Sequence, residues 1–457
     1  MTSDSKATSN ENWADQELGS ARFRDERLNK RVIQIATDFS NKPTQPINHA
    51  SEDAAAMKGA YRFFSNRKVE SKNILEPHVD NTMKRLSDYP VVLAVQDTTS
   101  LNYHNHKTTE GLGEITKIRN TSVKGLHMHS TLAVTSDGLP LGFLDQIIWA
   151  RQEEKKPKQI SDAIEEKESF RWIQSLRNTA ILAKETKTKI ITVCDREGDI
   201  YEFFLEANIL EQSVLVRCSH DREINDEEER IWEHMGDLPI LGRIKLDIEQ
   251  TPKRKARKAK LNVRVDKIDL LPPSVSNFVE PITVYAVFVK EIYPPVGEEA
   301  LEWLLLTTEP IETFKAAEET VSRYKSRWLI EVFHKILKSG LQVEDCLLNH
   351  GKKLAKYLTL MSVVGWRLLW MTYLQRFSPS ASADTVFTES EWKVIYCIAN
   401  KKKKPCANPP TLKKAISWLA KMGGFLGRKG DGDPGMITIW RGWSRLIDMV
   451  IAYEIFA

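Results

Sequence analysis

Four polar residues in YKSRWLIEVFHKILKSG, residues 324–340, could act together on an anion or a metal ion. Tyr324, Arg327, Glu331 and Lys338 follow one another at steps of three, four and seven. An α-helix turns about 100° per residue, so Arg327, Glu331 and Lys338 fall within roughly 60° of Tyr324. Leu329, Val332, Phe333, Ile336 and Leu337 take the remaining arc, and that side can bury while the polar edge stays open. The plain alternative is a surface ladder of ion pairs, since Arg327 and Glu331 are an i,i+4 pair.

Two further acids give the helix partners. Asp97 closes the apolar run VVLAVQD, and Asp195 follows the run IITVC. Either alone could be a turn or helix-cap residue. With Glu331 they make three hard oxygen donors, a set that suits Mg²⁺ or Mn²⁺. Two such ions about 3.5–4 Å apart can activate water and stabilise the leaving oxygen of a phosphodiester. Arg327 would then hold phosphate by a bidentate fork, Lys338 as a point charge and Tyr324 through its O–H. A glycosidase could also use paired carboxylates, but it gives Arg327 and Lys338 no task. The histidines of YHNH (103–106) and HMH (127–129) lack the third and fourth ligand that zinc needs.

The elements that must carry these groups are legible in outline. Residues 16–66 read as a small helical unit: Leu18, Phe23, Leu28, Val32 and Ile35 share a face, and Arg24, Arg27, Lys30 and Arg31 lie off it. Ser51 is placed to cap a second helix. VVLAVQD reads as a buried strand, and residues 125–151 as two strands joined at Asp137-Gly138. A helix over 162–186, the strand before Asp195, another helix and the strand SVLVRCSH (213–220) follow, which indicates a mixed α/β sheet. Residues 221–310 read as strands around a basic loop with no clear helix, an all-β insertion. A strongly apolar helix spans 353–375, and helices with basic and aromatic residues follow from 384.

Composition sets wider bounds. The 457 residues allow two or three domains, and the net charge is only +4, so any basic surface is local. KRKARKAK (253–260) and KKKK (401–404) are the local excesses. Five scattered cysteines without CxxC spacing give no disulfide or zinc framework. The amino terminus lacks a signal-peptide apolar core, and no apolar run reaches about 18 residues. The expectation is a soluble cytoplasmic protein with no membrane partner.

The spacing Tyr-x2-Arg-x3-Glu-x6-Lys resembles the signature of one group of bacterial cut-and-paste DDE transposases, whose best-known member serves the kanamycin-resistance composite transposon. DTTSL (97–101), CDREGDI (194–200), EEALEWLLLTTEP (298–310) and the 324–340 stretch resemble that group's motifs in the same order, across residues 12 to about 370. The resemblance implies a ribonuclease-H-like mixed sheet at 71–220 and 311–375, interrupted by the β insertion at 221–310. It implies a helical DNA-end-binding domain at 1–70 and a helical dimerisation domain at 376–457. Asp97, Asp195 and Glu331 would be the catalytic, metal-binding triad for two Mg²⁺ ions, with Mn²⁺ able to replace them. Tyr324, Arg327 and Lys338 would grip phosphates of the element's ends, and Trp303 would stack a flipped base. Arg217 would contact DNA near the core, and Arg27, Lys30 and Arg62 would bind the end sequence.

The activity so implied is excision of a mobile element by metal-dependent nicking and hairpin formation, then joining of its 3′ ends to target DNA. The partners would be double-stranded DNA, both inverted ends and target, and a second copy of the chain in the synaptic complex. The setting would be the bacterial cytoplasm, on the nucleoid when DNA is bound. A stand-alone metal-dependent nuclease and a non-catalytic end-binding repressor remain the alternatives. The last 80 residues carry little motif identity, although IWRGWSRLIDMVIAYEIFA is amphipathic enough for a partner face.

Overall fold

The computed structural model describes residues 12–152, 164–225, 229–248, 256–273 and 280–456. The polar stretch before Asn12, residues 162–163 and the first three residues of KRKARKAK lie outside these.

The chain begins with helices α1 (Trp13–Leu18), α2 (Glu26–Asn41), α3 (Ile47–Ala50) and α4 (Ala54–Ser65). The apolar face read from the sequence is buried: Leu18, Phe23, Val32 and Ile35 are at most 3% exposed, with Phe39, Phe63 and Phe64 beside them. The cap of α4 differs from expectation. Asp53 accepts the Ala56 N–H at 2.7 Å, whereas the Ser51 hydroxyl donates back to the Ile47 carbonyl at 2.7 Å. Ser51 ends α3, so it sits too early to reach α4.

Helix α5 (Ser71–Leu86) leads into the sheet strands β1 (Val91–Asn102), β2 (Gly113–Ile118), β3 (Thr121–Thr135) and β4 (Pro140–Trp149). Then come α6 (Phe170–Ala183), β5 (Lys189–Cys194), α7 (Tyr201–Ile209) and β6 (Ser213–Arg217). The inserted segment contains β7 (Glu223–Ile224), β8 (Glu229–Arg230), α8 (Ile231–Asp237), β9 (Gly242–Ile248), β10 (Arg257–Leu270), β11 (Ile282–Glu291) and β12 (Glu302–Thr307). Among the described residues these strands form one twelve-stranded sheet, ordered β2-β3-β1-β5-β6-β12-β11-β10-β7-β8, with β4 on β3 and β9 on β10.

Three sequence expectations are corrected here. First, β1 does not stop at Asp97. It pairs with antiparallel β3 from Val92↔Thr135 to Asn102↔Gly125, but with parallel β5 only from Val91↔Lys189 to Val95↔Val193. Asp97 therefore lies where one neighbouring strand continues and the other has left. Second, the insertion is not helix-free, because it holds α8, and β12 pairs with β6 to extend the core sheet. Third, the described part of the basic run is strand. Arg257 on β10 forks onto Glu291 at 3.0 and 2.8 Å and also bonds Glu298.

The chain closes with α9 (Phe314–Lys325), α10 (Trp328–Lys335), α11 (Gly351–Phe377), α12 (Glu389–Asn400), α13 (Leu412–Met422) and α14 (Met436–Phe456). Two buried polar joints tie the ends to the sheet. His78 on α5 accepts the Phe143 N–H of β4 through Nε2 at 2.9 Å, so its proton sits on Nδ1, 2.5 Å from Glu17 of α1. Arg85 forks onto the same carboxylate at 2.9 Å twice and donates to the Leu141 carbonyl. At the second joint, Arg367 of α11 lies over the rings of Trp13 (4.8 Å) and Trp443 (5.6 Å). The Trp443 indole N–H donates to the Ser40 carbonyl at 3.0 Å. Among the described residues no helix is long and apolar enough to cross a membrane.

Candidate active site and DNA-facing groups

Asp97 and Asp195 reach the same crevice from neighbouring strands. Continuing the β1–β5 register past Val95↔Val193 sets Asp97 beside Asp195. Asp97 Oδ1 accepts the Thr98 N–H at 2.8 Å. Asp195 caps the short 3₁₀ turn Arg196–Gly198 by accepting the Glu197 N–H at 2.8 Å. Its loop is anchored by Asp199, which is 1% exposed, accepts the Ser219 and His220 N–H groups, and pairs with Arg222.

The third acid comes from α10, but not by way of one continuous helix. The stretch 324–340 is α9 to Lys325, a break at Ser326 and Arg327, α10, and a single π turn over Ile336–Gly340. At the break, Arg327 and Leu329 N–H groups bond carbonyls three residues back, which winds the chain tighter. The π turn winds it looser. Uniform 100° spacing therefore does not describe this segment; Arg327, Glu331 and Lys338 interact with Asp97, and Tyr324 with Asp195.

Arg327 is the hub. Its guanidinium stands 3.6 Å from Asp97 Oδ2 and is paired with Glu331. Burial, and then the charges of Asp195 and Glu331, push the Asp97 carboxyl up to about 7, against the pull of Arg327 and the Thr98 N–H. Asp97 therefore feels both other acids, with Glu331, 45% exposed, at the solvent edge. Lys338 on the π turn is half-buried, and burial lowers its proton affinity while Glu344 and Asp97 raise it. Tyr324 is only 4% exposed and lies edge-on to Trp303, with ring centres 5.1 Å apart. Trp303 is partly buried on β12 opposite Val289. Arg217, at the end of β6, donates to the Glu302 carbonyl at 3.2 Å. Arg27, Lys30 and Arg62 are exposed on α2 and α4.

Sequence reasoning missed His334 and Glu344. His334 Nδ1 is 3.9 Å from Asp97 Oδ2, and the ring is buried with Nε2 lacking a hydrogen-bond partner. Its signal was its place three residues after Glu331, which puts it on the acid's side of the helix. Glu344 accepts the Asn102 N–H at 2.6 Å and so fixes the far end of β1. The histidines of HMH are cross-strand ties. His129 bonds Thr98 at 2.8 Å and Gln96 at 3.3 Å, and His127 bonds Ser100 at 3.2 Å and stacks on Trp149.

Residues 10–69 match the family described as Transposase DNA-binding, and residues 363–454 match the Transposase Tn5 dimerisation domain. These matches support a Tn5-like DNA transposase. Helices α1 to α4 lie within the DNA-binding match, where Arg24, Arg27, Lys30 and Arg62 are exposed. The dimerisation match begins inside α11 and takes in α12 to α14. The two matches support a DNA partner and a second copy of the chain, although the low motif content of the last 80 residues had left the latter open.

Proposed function

We propose that the crevice around Asp97 is the phosphodiester-cleaving centre of a DDE transposase. The observation that carries this is the position of Asp97, in the combined field of Asp195 and Glu331 and 3.6 Å from Arg327. Asp97, Asp195 and, at the solvent edge, Glu331 concentrate negative charge, and a hard dication offsets it best. The donor set fits Mg²⁺ or Mn²⁺: it is all oxygen, and the proton Asp97 retains marks where a cation would compete. Among the described residues no group of three His, Cys, Asp or Glu is yet drawn together tightly enough to hold an ion. Glu331 is held by Arg327, so it must exchange the guanidinium for metal.

Bound divalent ions would supply an activated nucleophilic oxygen and stabilise the leaving one. The chain's own residues do the rest. Arg327, once released from Glu331, forks onto a phosphate, and Lys338 adds a point charge beside Asp97. Tyr324 and Arg217 stand together behind the scissile position. Trp303, packed on Tyr324, offers a ring face for an unstacked base. The strand order β4-β3-β1-β5-β6, antiparallel and then parallel around β1, supports a ribonuclease-H-like core. In this reading one set of acids serves nicking, hairpin formation and joining of the 3′ ends to target, because each is an in-line attack at phosphorus.

The test is to incubate the protein with linear DNA carrying the element's own inverted ends, in Mg²⁺ or in EDTA. Double-strand excision with Mg²⁺, and none with EDTA or with Asp97→Ala, is expected. Cleavage that persists in EDTA rejects the mechanism, and equal cutting of random DNA turns the reading into that of a plain nuclease.

A further inference from the structure

The β2–β3 hairpin is not used by any step above. It extends β3 beyond Asn102, the last residue of β1 to pair with it, and residues 116–121 at its tip are exposed. Ile118 pairs with Thr121, leaving a two-residue loop of Arg119 and Asn120. Both have positive φ, +47° and +65°, the geometry of a type I′ turn. That turn favours Asn-Gly, and an arginine in the left-handed region costs about 1 kcal/mol. A hairpin that only had to close would not keep a guanidinium there. The rest of the tip agrees. Lys117 and Lys124 are exposed, Glu114 is the hairpin's one carboxylate, 3.7 Å from Lys117, and Ile118 is 60% exposed between Lys117 and Arg119.

We infer that this hairpin is a DNA-contacting ribbon, with Lys117, Arg119 and Lys124 on phosphates and Ile118 laid in a groove against the sugars or a base step. A two-stranded ribbon fits the major groove, and an apolar tip flanked by cations is also the composition of groove wedges. The inference rests on the transposase reading for the identity of the polyanion. Ser130, the residue of β3 opposite Asp97, stands nine residues from Thr121. At about 3.3 Å per residue the tip lies on the order of 30 Å along the strand from the acids. A duplex passing both would meet the tip roughly nine base pairs from the scissile phosphate. The DNA is therefore either the element's end or the duplex beyond the cut.

The test uses the full chain with Arg119→Asn and Asn120→Gly together, which restores the preferred turn while removing the guanidinium, and separately Ile118→Thr. Probes are duplexes carrying the element's end, one stopping at the cut and one extended 20 base pairs beyond it. Binding is measured from 50 to 300 mM salt. The double variant should bind at least one of these duplexes five- to tenfold more weakly, and its log K against log salt slope should flatten by about one. The duplex that shows the loss identifies the source. Unchanged affinity and slope on both, with unchanged circular dichroism, overturns the inference. If the unaltered protein neither prefers end-bearing duplex nor cuts it with Mg²⁺, the transposase reading fails instead.

Discussion

Asp97 keeps its proton to about pH 7 because it is buried beside two other acids. In the unfolded chain the same group ionises near 4. Folding therefore takes up a proton between those values. The associated stability is fully present below pH 4 and lost as pH rises through 7. In the metal-free protein, Asp97→Asn should raise the melting temperature at pH 8 by a few degrees, on the order of 2 kcal/mol, and do little at pH 4. A calorimetric scan at both pH values checks this; destabilisation at pH 8 would mean that Asp97 is an ordinary core acid with satisfied partners. Asp97, Asp195 and Glu331 stand out in the sequence because acids after apolar runs and beside Arg327 are unusual, and the proposed site is built on them. Glu331's partnership with Arg327 was legible from i,i+4 spacing. His334 and Glu344 were not legible, since their importance depends on where β1 passes relative to α10.

Among the elements, the joint between α1, α5 and β4 is the most demanding. Glu17 is held down to about 2, where the attraction of His78 and Arg85 overcomes burial. Its contribution is present above about pH 4.5 and is lost as pH falls toward 2. Glu17→Ala should leave Arg85 and the His78 N–H without their acceptor, cost about 3 kcal/mol in denaturant unfolding at pH 7, and cost progressively less in acid. A cost that stays constant from pH 7 to pH 3 would contradict the ion-pair account. Periodicity revealed the α2 face and the alternation of strands with helices, since both follow from local burial. It failed for 324–340, where tight and loose turns succeed each other within one run of helix-forming residues. It also failed for the end of β1 and for the insertion, because a strand's length is set by the neighbour it pairs with.

At the scale of the whole molecule the two ends of the chain meet through Trp13, Arg367, Trp443 and Ser40, so the DNA-binding and dimerisation regions share one packed joint. Helix α14 turns Trp443 and Leu446 inward and leaves Ile437, Ile451, Ile455 and Phe456 largely exposed. With the dimerisation match over this helix, those side chains are the natural cover for a second copy. Ile451→Glu should leave single-end binding intact and reduce the paired-end complex at least tenfold in sedimentation velocity; an undiminished paired complex would move the interface elsewhere. The central claim is that three distant acids form one metal centre, and a thiol substitution tests it most directly. Sulfur is a poor ligand for Mg²⁺ and a tolerable one for Mn²⁺. Asp195→Cys should therefore abolish end cleavage in Mg²⁺ and recover a measurable part of it in Mn²⁺. Full activity of Asp195→Cys in Mg²⁺, at the rate of the unaltered protein, would contradict it.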